Sequence, residues 1–378
     1  MNAPIRVNPY LSGNFAPVRE EVSLADLPLE GALPPELAGT YYRNGPNPQF
    51  DPRDPNYHWF SGDGMIHAFT VANGKVSYQN RFVRTPKWEL EHAAGASLFG
   101  TFGNPMTSDP SVMGKDSGVA NTNIIWHAGK LLALEEGHQP FELDPRTLMP
   151  RGYLDYAGQW KRFTAHPKID PETGELIFFG YAVGDMPFSN RIAYGAVDKS
   201  GKVTALDTFE APFASMIHDF FVTKNYVMIP VLPLTGSLQR AMAGKAPFAW
   251  EPEKGAHVAV FRRDQGVKSL RWFTTDACYV FHPMNMFEEG ERLIVDAHEY
   301  ACAPLFPNAD GSMSDNAPAF LTRWTFDLAT GALKRTRIDD FAGEFPRFDE
   351  RRAGLAYRHG YFAGNSKTDG KVLFDSIV

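Results

Sequence analysis

Three histidines stand in segments that are otherwise apolar and strand-like: His166 in FTAHPKID, His218 in ASMIHDFF and His282 in VFHPMNMF. Each is followed by Pro or Asp and flanked by Phe, Met, Ile or Val, residue types that go inside a fold, so each imidazole must find a polar partner there. For one such histidine alone, a core imidazole hydrogen-bonded to a backbone carbonyl is the simpler account. Three together favour a metal centre, because neutral imidazole nitrogens brought from separate strands make a ligand set for a transition metal. No HExxH or CxxC motif accompanies them, so short-range spacing carries no signature. The gaps of 52 and 64 residues are instead the size expected if each ligand comes from a different propeller blade. Imidazole by itself does not choose among zinc, copper, nickel and iron.

The elements that would position these side chains read as all-β. Gly and Pro number 33 and 29 of 378 residues and aromatics make up 13%, which fits many short strands joined by tight turns, and long helix-period segments are scarce. Turn glycines recur ahead of strand-like runs: Gly74, Gly129, Gly174, Gly201, Gly290, Gly331 and Gly370. Repeated hairpins suit a propeller, whose closure creates a central axis on which side chains from several blades converge. A sandwich uses hairpins too, but has no such axis. With no Gly/Ser linker, charge block or low-complexity tract to divide it, the chain reads as a single domain, 1–378. Short helices are expected around 88–98 and 237–243, outside the hairpins.

A net charge of −7 and the lack of a basic stripe argue against a nucleic-acid partner. The segment MNAPIRVNPYLSG has no apolar run of signal-peptide length, and no stretch approaches 18 uninterrupted apolar residues, so a soluble, cytoplasmic protein is expected. Cys278 and Cys302 are the only cysteines; two thiols in a chain this long are expected as reduced residues, in a compartment where ferrous iron persists.

Ordered blocks along the chain carry more information: GNFAPV, LEGALPPELAGTYYRNGPNP, HWFSGDGMIHAF, NRFVRTPKW, ANTN, LLALEEG, FTAHPKIDPETGE, MIHDFFVT, VFHPMNMFEEGE and EFPRFD. With these the chain resembles the carotenoid cleavage oxygenase family, which includes apocarotenoid and lignostilbene-type dioxygenases and a retinoid isomerase. It looks most like the bacterial lignostilbene and isoeugenol-cleaving branch. The resemblance implies a seven-bladed β-propeller under a helical and loop dome, with one Fe(2+) per subunit on the axis. It places His166, His218 and His282 as three of four histidine ligands. The family's fourth ligand lies in a C-terminal block that has no counterpart here; His359, in YRHGYFAG, matches a different block. The last part of the propeller is therefore expected to be missing from this chain, which leaves a catalytically inactive truncated propeller or binding module as the alternative reading.

The resemblance also implies carboxylates behind the ligands, at Glu136 and Glu344, since a metal-bound imidazole normally passes its other N–H to an acceptor. Thr122 matches a position where family members set a small side chain against an open coordination site. The implied reaction is cleavage of a conjugated C=C bond by O2 to two carbonyl products, with an apolar alkene as substrate. Family members that hold a 4-hydroxystilbene as its phenolate have a Tyr and a Lys where this chain has Phe102 and Glu135. A carboxylate in place of the cation disfavours a phenolate, so an apocarotenoid or another non-phenolate, stilbene-like alkene is preferred, with Phe60 and Phe102 as candidate tunnel walls. The segment 229–244, rich in Leu, Pro and Met, allows peripheral membrane contact without a basic amphipathic face to demand it.

Overall fold

The computed structural model describes residues 8–101, 105–156, 161–313, 317–366 and 374–378. Two compact units make up the chain, residues 1–165 and 166–378.

In the first unit, one four-stranded antiparallel sheet is built from Gly39–Pro46, Gly64–Ala72 and Lys75–Phe82, with the short N-terminal strand Ser23–Leu24 added beside the last of these. A second is an unbroken meander of Asn123–His127, Lys130–Leu134, Phe141–Leu143 and Pro150–Tyr153. Local sequence sets both registers. Asn73 and Gly74 form a two-residue turn with φ of 52° and 70°, and Ala128 and Gly129 another with 50° and 76°. Positive φ at both central positions is the type I′ geometry whose twist matches paired strands. Ile66, Ala68, Leu131, Ala133, Phe141 and Leu143 pack into one apolar cluster.

The second unit carries three more sheets of the same meander kind. Lys168–Ile169, Leu176–Gly180, Arg191–Val197 and Val203–Glu210 form one; Phe221–Val222, Tyr226–Val231, Ala256–Arg262 and Arg271–Thr275 form the next. The third runs Tyr279–Glu289, Arg292–Tyr300, Phe320–Asp327 and Leu333–Phe348 and is extended by Gly360–Gly364 and Ser376–Ile377. Strands such as Leu176–Gly180 are buried along their whole length, as sheets covered on both faces require. Two apolar clusters fill this unit, one around Phe179, Phe220 and Phe261 and one around Trp324, Phe273 and Tyr279.

The described residues thus form five blade-type sheets, against the seven that the resemblance implies. Six of the expected turn glycines have φ between 62° and 91°; Gly370 lies outside the described residues. Both expected helices are present with shifted ends, Pro86–Ala94 and Leu238–Met242. Among the described residues no helix is long and apolar enough to cross a membrane.

Candidate metal centre

His166, His218 and His282 are brought together in the second unit, with their ligand atoms all within 4.8 Å of one another. Only His282 lies inside a strand, Tyr279–Glu289; His166 and His218 fall just ahead of Lys168–Ile169 and Phe221–Val222. The expected strand positions are corrected for His166 and His218, and for His166 the reason is the proline that follows it. Proline holds the preceding residue extended and offers no N–H to a ladder, so Pro167 precedes the start of its strand and Pro283 sits at a register shift. The rings are partly buried, so the site keeps an open side.

The geometry is specific. His218 Nε2 lies 3.0 Å from His166 Nε2 and 3.0 Å from His282 Nε2. His282 Nδ1 lies 2.7 Å from Glu344 Oε2, and because a carboxylate only accepts, the proton belongs on Nδ1, leaving a lone pair on Nε2. His218 Nε2 then has to donate to reach His282, and a donating nitrogen has no lone pair left for His166. Hydrogen bonding therefore accounts for at most one of the two contacts. Three lone pairs directed at one cation account for both. Three neutral imidazole nitrogens at this spacing are a donor set that fits a transition-metal ion.

Glu344 sits on the long strand Leu333–Phe348, in the same sheet as His282. It is 4% exposed. Burial alone would raise its carboxyl, but the facing His282, the hydrogen bond to that ring and the Phe345 N–H together hold it below the ordinary carboxylate range. At the preceding Gly343 a Cβ would stand 2.3 Å from Phe362 Cδ2, so that position of the strand has no room for a side chain. Burial, and next the neighbouring His218, His282, Lys168 and Arg347, push His166 well below the ordinary imidazole value, keeping it neutral as a metal ligand must be.

Aromatic rings line the cluster. Phe281 meets His218 edge-on with centroids 5.1 Å apart, and Phe345 tilts against His282 at 5.2 Å. Phe345 has φ of 54° and is 52% exposed, an uncommon backbone state for a bulky residue.

The remaining candidates belong to the first unit. Asn121 Nδ2 donates to the carbonyls of Phe60 and Gly62 at 2.9 and 2.7 Å, and the Thr122 N–H donates to Leu134 O at 2.9 Å. Phe60 packs on His58. Thr122 is exposed and its hydroxyl donates to Asn121 Oδ1. Glu135 is buried, its Oε1 accepting the N–H groups of Val119 and Ala120 at 2.7 and 3.0 Å with His138 Nδ1 at 3.4 Å. Glu136 is partly buried in the turn after Lys130–Leu134. Phe102 lies outside the described residues. His359 is exposed and outside the histidine cluster. Sequence reasoning passed over Lys168, Asp219, Phe281 and Phe345, although the charge of Asp219 within MIHDFF was a signal that it needs a partner.

The family model described as "RPE65: Retinal pigment epithelial membrane protein" matches residues 15–378. An isoeugenol monooxygenase of Pseudomonas putida is 43% identical over 365 residues, covering 94% of this chain and 76% of that protein. The lignostilbene-alpha,beta-dioxygenase isozyme III of Sphingomonas paucimobilis is 36% identical, covering 93% and 74%. Among solved structures, the Pseudomonas brassicacearum lignostilbene dioxygenase superposes with a TM-score of 0.90 at 37% identity, covering 96% of this chain and 77% of that one.

Proposed function

We propose, from the premise that this chain belongs to the RPE65/carotenoid oxygenase family, that it cleaves a conjugated C=C bond of an apolar alkene with O2, using Fe(2+) held by His166, His218 and His282. The fold is an all-β propeller and the protein is an oxidoreductase of the dioxygenase type. The observation that carries the metal reading is the pair of 3.0 Å contacts shared by one nitrogen, His218 Nε2.

A bound ferrous ion supplies the one-electron chemistry that lets dioxygen react with an alkene. The chain's own residues have simpler tasks. Glu344 keeps the His282 proton on Nδ1, so that Nε2 stays free to bind metal. Phe281 and Phe345 give an apolar border on which a flat conjugated substrate can rest. An alkene and O2 give two carbonyl compounds with no proton left over, so an acid or base from the protein is not required. This agrees with the lack of a nucleophile triad or paired-carboxylate motif in the sequence.

For the substrate we take an apocarotenoid or a stilbene-like alkene that does not bind as a phenolate. The resemblance carries this reading: by it, Glu135 takes the position where phenolate-binding family members have a Lys, and here that residue is a buried carboxylate held by the Val119 and Ala120 N–H groups. The similar proteins named for isoeugenol and lignostilbene make both compounds necessary comparisons. The test is iron per chain after anaerobic loading, followed by 18O2-dependent turnover of isoeugenol, resveratrol and an apocarotenal. Label in both carbonyl products is expected, with the apocarotenal favoured over resveratrol. No iron uptake, or iron uptake without cleavage of any of the three, would sink the proposal.

A further inference from the structure

An ion pair joins the segments that carry two of the three histidines. Lys168 lies two residues after His166, and Asp219 immediately follows His218. Lys168 Nζ is 2.6 Å from Asp219 Oδ1, and the same oxygen accepts the Phe220 N–H at 2.7 Å. Asp219 is 5% exposed, and the Lys168 ammonium stands 5.6 Å from the centre of the Phe220 ring.

We propose that Lys168 and Asp219 are positioning residues of the metal centre: their ion pair is the strap that sets the spacing between His166 and His218. The proposal rests on the metal reading above and assigns residues that the reading does not use. Its physical case begins with the two backbones. Lys168 is anchored by pairing with Ile177 in its own sheet, whereas residues 216–220 precede their sheet and lie in no strand. Apolar contact between the two sheets, such as Phe179 on Phe220 at 4.9 Å, draws them together without fixing how one slides along the other, because the hydrophobic effect has no direction. A short ion pair does have direction. The Phe220 N–H bond fixes the carboxylate on its own backbone, so the strap acts on the residue next to His218 with little slack. An ion pair of a buried carboxylate and a half-buried ammonium, 5% and 23% exposed, is a poor way to gain stability, since apolar residues of the same volume can do as well or better. Two ligands that must meet one ion give this pair a geometric use.

Metal binding tests this without turnover. Co(II) is titrated into the metal-stripped full chain, reading affinity and the visible absorption spectrum, which reports coordination geometry. The Lys168→Met/Asp219→Asn double variant is expected to bind Co(II) about tenfold to hundredfold more weakly, the usual cost of losing support behind metal ligands, with a shifted spectrum. Asp219→Glu keeps the charge and lengthens the strap by one methylene; it should fold, shift the spectrum and weaken binding several-fold. Unchanged affinity and spectrum in either variant would overturn the proposal and leave the pair a fold contact only. A weak Asp219→Asn single variant whose affinity is restored in the double variant would overturn it too, because charge and not position would then be the cause. If the unaltered chain takes up neither Co(II) nor Fe(II), the metal reading itself fails and the strap falls with it.

Discussion

Glu344→Gln isolates what the carboxylate does for His282, because the amide has the same shape and carries no charge. In the structure the Nδ1–Oε2 distance is 2.7 Å and the carboxylate is 4% exposed, so the bond is charge-assisted and shielded from water. A hydrogen bond to a charged group is worth about 1.5–3 kcal/mol and a neutral one about 0.5–1.5 kcal/mol, so the exchange removes roughly 1–1.5 kcal/mol from the ligand-competent form of His282. At about 1.4 kcal/mol per tenfold, metal affinity should fall by roughly five- to tenfold. A second effect adds to this. The Gln amide can also turn its NH2 toward Nδ1, which moves the imidazole proton to Nε2 and blocks the ligand position. Glu344→Ala should do worse, since it leaves both the His282 N–H and the Phe345 N–H without their acceptor. Competition between each variant and a chelator for Co(II), run beside urea unfolding of the metal-free proteins, separates binding from stability. Glu344→Gln within twofold of the unaltered chain would refute the argument that Glu344 sets the state of His282.

Three further perturbations test other parts of the molecule. Lys87 Nζ lies 2.7 Å from both Asp63 Oδ1 and Glu91 Oε2, all three buried; Lys87→Met strands two carboxylates and should cost about 3–5 kcal/mol in urea unfolding, and a loss under about 1 kcal/mol would contradict the role given to the cation. Burial would raise the Asp170 carboxyl, but the hydrogen bonds from Arg263 and the N–H groups of Glu172 and Thr173 outweigh it and hold it below its ordinary value. Its contribution is therefore present above the ordinary carboxylate pKa of about 3.9 and lost as pH falls through the lower folded value; the stability gap between the unaltered chain and Asp170→Asn should close between pH 6 and pH 2, and a constant gap would count against this sign. Phe345 at φ 54° bears a strain of order 1 kcal/mol that glycine does not, so Phe345→Gly should keep or raise the melting temperature while lowering kcat/KM; a marked fall in melting temperature would show the ring to be structural.

Features set by neighbouring residues were legible in the sequence. Asn73-Gly74 announced its hairpin because Asn and Gly both accept the positive φ that a two-residue turn needs, and at the second hairpin Gly129 gave the signal while Ala128 adopts its φ of 50° against its own preference. The helix expected at 88–98 is Pro86–Ala94 because Thr85 caps it through the Trp88 N–H, Pro86 suits its first turn and Gly95, at φ 66°, ends it. All three signals were in the sequence, and the apolar pattern alone placed the helix late. The three histidines stood out as polar steps in apolar runs. Glu344, by contrast, is one of many carboxylates until the fold carries it to His282, and only the resemblance singled it out.

What stayed hidden depends on distance along the chain. Lys168 and Asp219 stand in the same quoted motifs as His166 and His218, yet nothing within either motif says that one side chain reaches the other across 51 residues. The histidines differ in this respect, because three imidazoles set in apolar segments already suggest a shared site. A Lys and an Asp each have an ordinary explanation in solvent, so it takes the fold, which buries Asp219 and half-buries Lys168, to show that they pair with each other. The three histidines were therefore visible in the sequence as polar residues in apolar segments, and the Lys168–Asp219 pair became visible only when the two segments that carry it were set side by side.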